Sequence, residues 1–200
     1  MKNIAVFASG NGTNFSAIAR AVKNGRIKAN LALLVCDQPD AFVIKRAKAA
    51  KVKAVLIKRE DFSSNCDFEL KIIEILKENK IDLIVLAGFM RIIGKELLET
   101  YKNRIINIHP ALLPSFKGAH GIKDAFNYGV KVTGVTVHFV TNDLDGGPVI
   151  LQEPVPITNK DTLKSLEEKI HKVEHELYPQ AISLILRGKM KLKGRKVIIQ

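Results

Sequence analysis

Cysteine and long apolar runs are both scarce in this 200-residue chain. The two cysteines, Cys36 and Cys66, are in no metal-like spacing, and tryptophan is absent. No apolar stretch approaches the ~20 residues that a membrane helix needs. Met1-Lys2-Asn3 leads directly into a strand-like run rather than a signal peptide. We therefore expect a cytoplasmic protein with free thiols, no metal site and no membrane partner.

A basic stripe interleaved with aromatic residues is also lacking, although the formal net charge is +12. The lysines are spread through the predicted helices and loops, which is typical of a solvated surface. Such a positive field can help to gather small anionic substrates. We therefore expect no specific nucleic-acid partner.

The apolar residues, 46% of the chain, are numerous enough to build a core. Apolar runs alternate with helical spacing, which predicts an α/β fold with a doubly wound, mostly parallel, Rossmann-like sheet. After Gly129 the pattern predicts a late antiparallel strand pair at one edge. The predicted strands are Lys2–Ala8, Asn30–Cys36, Ala54–Ile57, Ile81–Ala87, Ile105–Ile108, Thr133–Val140 and Val149–Ile157. The predicted helices are Asn14–Lys23, Ala41–Ala50, Phe68–Asn79, Gly94–Thr100 and Lys160–Arg187, before a hairpin around Gly194.

The first chemical motif is Ser9-Gly10-Asn11-Gly12-Thr13-Asn14, between the first strand and the first helix. Its glycines allow close approach of a ligand, and the helix start offers N–H groups for a phosphate. It is no dinucleotide fingerprint, because Phe15 occupies the place of the third glycine. A site for one small phosphate and an ordinary turn capped by Thr13 or Asn14 both remain open.

The second motif is Asn107-Ile108-His109-Pro110, at the end of an apolar run. Residues two apart in a strand point to one side, so Asn107 and His109 face together. Pro110 favours an extended His109 and ends the strand. Ligands bind at the carboxyl ends of strands in open α/β sheets. The Gly-rich stretch after Thr141 can return the carboxylate of Asp145 to this imidazole.

The other histidines are less specific. His138 and Thr136 face one side of their predicted strand, as site neighbours or as part of a half-buried face, and we slightly favour the first. His120, His171 and His175 show no ligand spacing with carboxylates or cysteines, so we predict no metal.

Several segments, in the right order along nearly the whole chain, resemble the folate-dependent formyltransferase family. The pattern Asn-x-His-Pro-x-Leu-Leu-Pro with a later Leu-Asp-Gly-Gly is typical of that family as a group. The phosphate loop narrows the resemblance to its glycinamide ribonucleotide enzymes. The matching segments are Ser9–Phe15, Leu86–Ile92, Asn107–Pro114, His138–Val140, Leu144–Ile150, Glu174-His175 and Tyr178-Pro179.

The resemblance implies a one-carbon transferase of de novo purine biosynthesis. It would move a formyl group from the co-substrate 10-formyltetrahydrofolate to the amine of glycinamide ribonucleotide, without a metal. It implies one domain over residues 1–200, with a phosphate-binding half (1–100) and a catalytic and folate-binding half (101–200). The partners would be these small molecules, and the chain would be a monomer or homodimer.

Residue roles follow from the same resemblance. Asn107 and His109 would donate hydrogen bonds to a tetrahedral oxyanion, while Asp145 pairs with the imidazolium so that His109 acts as an acid. The residues that would hold the phosphate and ribose are Gly12, Thr13, Asn14, Pro110 and Glu174. The residues that would line the folate pocket are Met90, Arg91, Ile92, Ile93, Asn107, Thr141, Asn142 and Asp143.

One departure from the family leaves the folate tail unassigned. Family members often carry an arginine near residues 60–66, where this chain reads Ser63-Ser64-Asn65. Lys58 or Arg59 can substitute for it. The role of Lys117–His120 is also open.

Three other functions share parts of the pattern. Methionyl-tRNA formyltransferase has the Asn-x-His-Pro core but normally carries a further C-terminal domain, and its first loop lacks this phosphate cradle. Formyltetrahydrofolate hydrolase shares the triad of Asn107, His109 and Asp145 but has an N-terminal regulatory domain, whereas the first strand here begins at residue 2. A non-catalytic nucleotide- or folate-binding module would not need the triad. We therefore expect the transferase.

Overall fold

The computed structural model describes all 200 residues as nine strands and six α-helices, with a 3₁₀ turn at Arg59–Asp61. The strands are β1 (Lys2–Phe7), β2 (Ala29–Cys36), β3 (Lys53–Leu56), β4 (Leu83–Leu86), β5 (Ile105–His109), β6 (Val132–Phe139), β7 (Val149–Pro156), β8 (Met190–Lys193) and β9 (Lys196–Ile199). The helices are α1 (Thr13–Lys23), α2 (Phe42–Ala49), α3 (Asn65–Glu78), α4 (Lys95–Thr100), α5 (Gly121–Tyr128) and α6 (Leu163–Leu186). No helix combines the length and apolar composition needed to cross a membrane.

The first of two compact units, Met1–Ile106, is built on parallel strands. β1 pairs with β2 on one side and β4 on the other, so that Val6 lies opposite Leu34 and Val85. These strands are almost wholly apolar and buried, as expected for a parallel sheet covered on both faces. The loops after β1 and β4 meet, because the Ser9 N–H donates to the Gly88 carbonyl at 2.9 Å.

The second unit, Asn107–Gln200, contains the antiparallel pair β6–β7. Thr136 lies opposite Gln152 in this ladder, and the register shifts at His138. The 24-residue α6 begins at a reciprocal cap, in which the Thr162 hydroxyl accepts from the Ser165 N–H and the Ser165 hydroxyl accepts from the Thr162 N–H. The hairpin β8–β9 ends the chain.

The strand order confirms the predicted fold class. Neighbouring strands of the seven-stranded sheet follow the order β3-β2-β1-β4-β5-β6-β7. Its first four strands pair in parallel, and β6–β7 is the predicted late antiparallel pair. The assignment of all 200 residues to one domain remains a prediction.

Local differences from the sequence prediction have physical causes. Helix α5 was not predicted, because it begins at a glycine and has no side-chain cap. Helix α3 starts three residues before the predicted Phe68, because the Ser64 hydroxyl accepts from the Asp67 N–H at 3.0 Å. The alternating pattern of β6 does not mean half-exposure, since every residue after Val132 is buried.

Candidate active site

A buried imidazole and a buried carboxylate face each other at the end of β5. His109 Nδ1 lies 3.5 Å from Asp145 Oδ2, and both side chains are more than nine-tenths buried. Asn107 stands two residues before His109 on the same strand. The loop between β6 and β7 therefore returns the carboxylate of Asp145 to the imidazole of His109, an arrangement that the sequence allowed.

The other ring nitrogen of His109 also meets an acceptor. His109 Nε2 lies 2.7 Å from the carbonyl oxygen of Phe116. A carbonyl only accepts, so Nε2 carries the proton of this hydrogen bond. In the doubly protonated ring, Nδ1–H would face Asp145 while Nε2–H faces Phe116. The surroundings can thus hold an imidazolium without leaving a buried charge unpaired.

His138, near the end of β6, joins this cluster. Its Nε2 lies 3.4 Å from Asn107 Nδ2 and 3.7 Å from Asp145 Oδ1, while its Nδ1 donates to the Phe139 carbonyl at 2.9 Å. Burial lowers the pKa of His138, against the opposing effect of the Asp145 carboxylate, so the ring is neutral at pH 7. A neutral ring that donates from Nδ1 accepts at Nε2. His138 therefore orients the Asn107 amide, whose second N–H is available to a ligand.

The backbone at Asp145 is in an unusual conformation that its surroundings impose. Its φ is 50°, in the left-handed region, which costs a non-glycine residue about 1–3 kcal/mol. The Gly118 N–H donates to Asp145 Oδ2 at 2.8 Å, and the Gly146 N–H closes a turn onto the Asp143 carbonyl at 2.9 Å. A side chain at Gly147 would collide with the Phe139 carbonyl oxygen, so this loop packs tightly against the end of β6.

The segment Phe116–His120 supplies main-chain groups to the cluster. Phe116 gives its carbonyl to His109, and Gly118, with φ 95°, gives its N–H to Asp145. Lys117 Nζ lies 3.6 Å from Asp143 Oδ1. Any residue type can supply a main-chain carbonyl or N–H, so the sequence did not predict these two contacts. Gly118 was the only signal that could have indicated a special backbone conformation here.

Thr136 is fully buried but does not contact the triad through its hydroxyl. Its Oγ1 donates to the Ala111 carbonyl at 2.7 Å and accepts from the Leu113 N–H at 3.1 Å. Gln152 Nε2 donates to the same oxygen at 3.0 Å. Thr136 therefore fixes the segment that follows Pro110, and of the two predicted neighbours only His138 contacts Asn107 and Asp145.

In the first unit, the predicted phosphate loop is defined by its backbone. Helix α1 begins at Thr13, and its N-cap is Gly12 with φ 78° and no side-chain cap, so neither Thr13 nor Asn14 fills that role. A Cβ at Gly12 would collide with Val43. Glycine is thus required here by conformation and by packing against α2. The amides that open α1 lie at the positive end of the helix dipole, which favours an anion.

A buried carboxylate ties the predicted folate segment to the phosphate loop. Asp37, whose side chain is 1% exposed, accepts from Ser9 Oγ at 2.6 Å and from Arg91 Nε at 2.7 Å. Ser9 Oγ in turn accepts from the Met90 N–H at 2.9 Å. Met90 and Ile92 expose their apolar side chains on this restrained segment, whereas Ile93 is buried. The role of this segment in folate binding stays a prediction.

Glu174, the predicted ribose ligand, is a buried carboxylate on α6. Its Oε2 accepts from His171 Nδ1 at 2.9 Å, and His171 is half-exposed. This hydrogen bond raises the pKa of His171. This pair was not predicted from the sequence, although the i, i+3 spacing of His171 and Glu174 on a helix could have indicated it.

The remaining predicted residues lie in or beside loops. Pro110 is half-buried directly after β5. Asn142 and Asp143 are exposed, and the neighbouring Thr141 Oγ1 donates to the Asp143 carbonyl at 3.4 Å. Ser63 and Ser64 belong to the cap of α3, where both hydroxyls donate to Asp67 Oδ2. No group of three or more histidine, cysteine or acidic side chains, the His109–His138–Asp145 cluster included, has the arrangement that could hold a metal ion.

Comparison with known proteins gives a consistent result. Residues 2–182 match the formyl transferase family. The chain is 47% identical to phosphoribosylglycinamide formyltransferase of Bacillus subtilis (strain 168), over 93% of this chain and 95% of that protein. Glycinamide ribonucleotide transformylase 1 from Symbiobacterium toebii is 41% identical with a TM-score of 0.97, covering 100% of this chain and 94% of that one. The same enzyme from Geobacillus kaustophilus is 51% identical with a TM-score of 0.91, covering 93% and 99%.

Proposed function

The chain belongs to the formyl transferase family, and we propose that Asn107, His109 and Asp145 carry out its formyl transfer from 10-formyltetrahydrofolate to the amine of glycinamide ribonucleotide. Within the family it groups with the phosphoribosylglycinamide formyltransferases of de novo purine biosynthesis. The observation that carries the residue assignment is the buried contact between His109 and Asp145 beside the amide of Asn107.

The first demand of this reaction is a donor for negative charge. The amine nitrogen bonds to the formyl carbon, and the carbonyl oxygen becomes an oxyanion before the bond from carbon to N10 of the folate breaks. Asn107 suits this role, because His138 holds one side of its amide and the second N–H is available. A donor that is already oriented needs no reorganisation when the charge develops.

The second requirement is general acid–base catalysis, because the amine loses a proton and N10 gains one. The His109–Asp145 pair supplies the cationic acid for this transfer. Both ring nitrogens of His109 face protein acceptors, Asp145 and the Phe116 carbonyl. His109 therefore exchanges a proton with substrate only after the Phe116 carbonyl moves away from Nε2.

Substrate recognition divides among several groups. The amides of Gly12, Thr13 and Asn14 hold the phosphate, and Pro110 and Glu174 contact the ribonucleotide. A carboxylate can accept from both ribose hydroxyls, and His171 keeps that of Glu174 oriented. The folate is held by Met90–Ile93, Asn107 and Thr141–Asp143. We place the enzyme in the cytoplasm, which its two free cysteines support, and assign it no metal.

The test is an assay with purified protein, glycinamide ribonucleotide and 10-formyltetrahydrofolate, in the presence and absence of a chelator. We expect stoichiometric formylation of the ribonucleotide at a rate that the chelator leaves unchanged. Folate hydrolysis at a comparable rate without the amine would contradict the proposal, and so would activity that the chelator abolishes. An Asn127→Ala variant, altered at an exposed amide on α5, serves as a matched control for amide substitutions.

A further inference from the structure

The terminal hairpin β8–β9 contacts the loop that carries Asp145. Arg195, in the exposed turn between the two strands, donates from Nη2 to the Gly146 carbonyl oxygen at 2.9 Å. The Gln200 N–H donates to the Lys189 carbonyl and closes the other end of the hairpin. This hairpin lies beyond residue 182, where the match to the family ends.

The hydrogen bond from Arg195 to Gly146 lies next to a residue with an unusual backbone conformation. Gly146 directly follows Asp145, whose φ of 50° is in the left-handed region. A non-glycine residue keeps such a conformation only when its surroundings determine it. If the peptide between Asp145 and Gly146 rotates, the carboxylate turns away from His109 Nδ1, which lies 3.5 Å away.

Other contacts restrain different parts of the same loop. The Gly118 N–H holds the Asp145 carboxylate, and the Gly146 N–H holds the turn onto Asp143. Neither fixes the carbonyl of Gly146. Arg195 does so with a charged donor, and hydrogen bonds from charged groups are stronger than neutral ones.

We propose that Arg195 is a positioning residue for formyl transfer: its hydrogen bond to the Gly146 carbonyl keeps Asp145 in the conformation that directs the carboxylate to His109. This inference rests on the proposed function of the triad. It assigns the terminal hairpin a role in organising the catalytic loop. Arg195 itself does not touch a reacting atom.

The experiment compares Arg195→Ala with Lys196→Ala, which removes the same charge from the next residue of the hairpin. We expect kcat of Arg195→Ala to fall between about ten- and a hundredfold, as for a small misplacement of a catalytic group, with KM values nearly unchanged. Arg195→Lys should retain part of the activity. Added guanidinium ion, below denaturing concentrations, should restore kcat of Arg195→Ala and leave Lys196→Ala unaffected.

A second measurement does not depend on activity. Amide hydrogen exchange at Gly146 should be faster in Arg195→Ala than in Lys196→Ala, with the same global unfolding midpoint. Equal kcat and equal exchange in the two variants would overturn the inference. If the wild-type protein does not formylate glycinamide ribonucleotide, the proposed function fails, and the exchange measurement still decides whether Arg195 restrains the loop.

Discussion

The cluster of His109, His138 and Asp145 and the predicted phosphate loop at Gly12–Asn14 are built from different parts of the polypeptide. At the cluster, the proposed chemistry depends on side chains: those of His109, His138 and Asp145 are buried, and each is held by several contacts. At Gly12–Asn14 the proposed phosphate binding depends on the backbone, because Gly12 is in the left-handed conformation and the start of α1 has no side-chain cap. Side-chain changes at the cluster should therefore lower kcat, whereas the phosphate loop should respond chiefly to charge and to backbone shape.

The largest expected effect is at Asn107. Asn107→Ala removes a neutral donor to the oxyanion, so kcat should fall on the order of 10²–10³, about 3–4 kcal/mol, with little change in KM. Steady-state kinetics against Asn127→Ala measures this loss. A raised KM with normal kcat would mean that Asn107 binds the substrate in its ground state. The two regions would then no longer differ in whether a substitution changes kcat or KM.

At the predicted phosphate loop we expect a smaller effect, and we expect it on KM rather than on kcat. Thr13→Asp places a negative charge in the first turn of α1, where it should stabilise the helix by about 0.3–1 kcal/mol. The same charge should repel a phosphate, so KM for the ribonucleotide should rise about fivefold or more, with kcat unchanged. The matched control is Thr13→Asn, which is neutral.

Gly12 variants are a poor test of the same site, because a side chain there collides with Val43 and faces a φ of 78°. If Thr13→Asp and Thr13→Asn share one KM, then no phosphate binds at this helix start.

The smallest effect concerns the His171–Glu174 pair, whose hydrogen bond raises the pKa of His171. A raised folded-state pKa stabilises the protein below the unfolded value of about 6.5, and this contribution disappears as pH rises through the folded value. His171→Ala should therefore lose more stability, relative to the wild type, at low pH than at high pH.

The loss should stay below about 1 kcal/mol, because His171 is half-exposed. Urea unfolding at several pH values, with Lys172→Ala as control, measures it. A loss that is independent of pH would exclude the ion pair as its cause.

The predictable parts of this molecule are those that residue type and period determine. Continuous apolar runs indicated the parallel strands, and the i, i+2 spacing placed Asn107 and His109 on one side of β5. The Phe116 carbonyl and the Gly118 N–H could not be predicted, because every residue carries such groups and only the folded backbone aims them. The contact of Arg195 could not be predicted either, since its partner, the Gly146 carbonyl, lies 49 residues away in sequence.

The assignment of His109 and Asp145 as one catalytic unit is tested most directly by a double-mutant cycle on kcat. Asp145→Asn keeps the shape of the side chain and removes its charge, and His109→Asn removes the imidazole. Each variant should lower kcat on the order of 10²-fold or more. The double variant should be within about twofold of the slower single variant, because both changes disable the same unit. Losses that multiply, or a near-normal kcat in Asp145→Asn, would contradict the assignment and leave Asp145 as a turn residue.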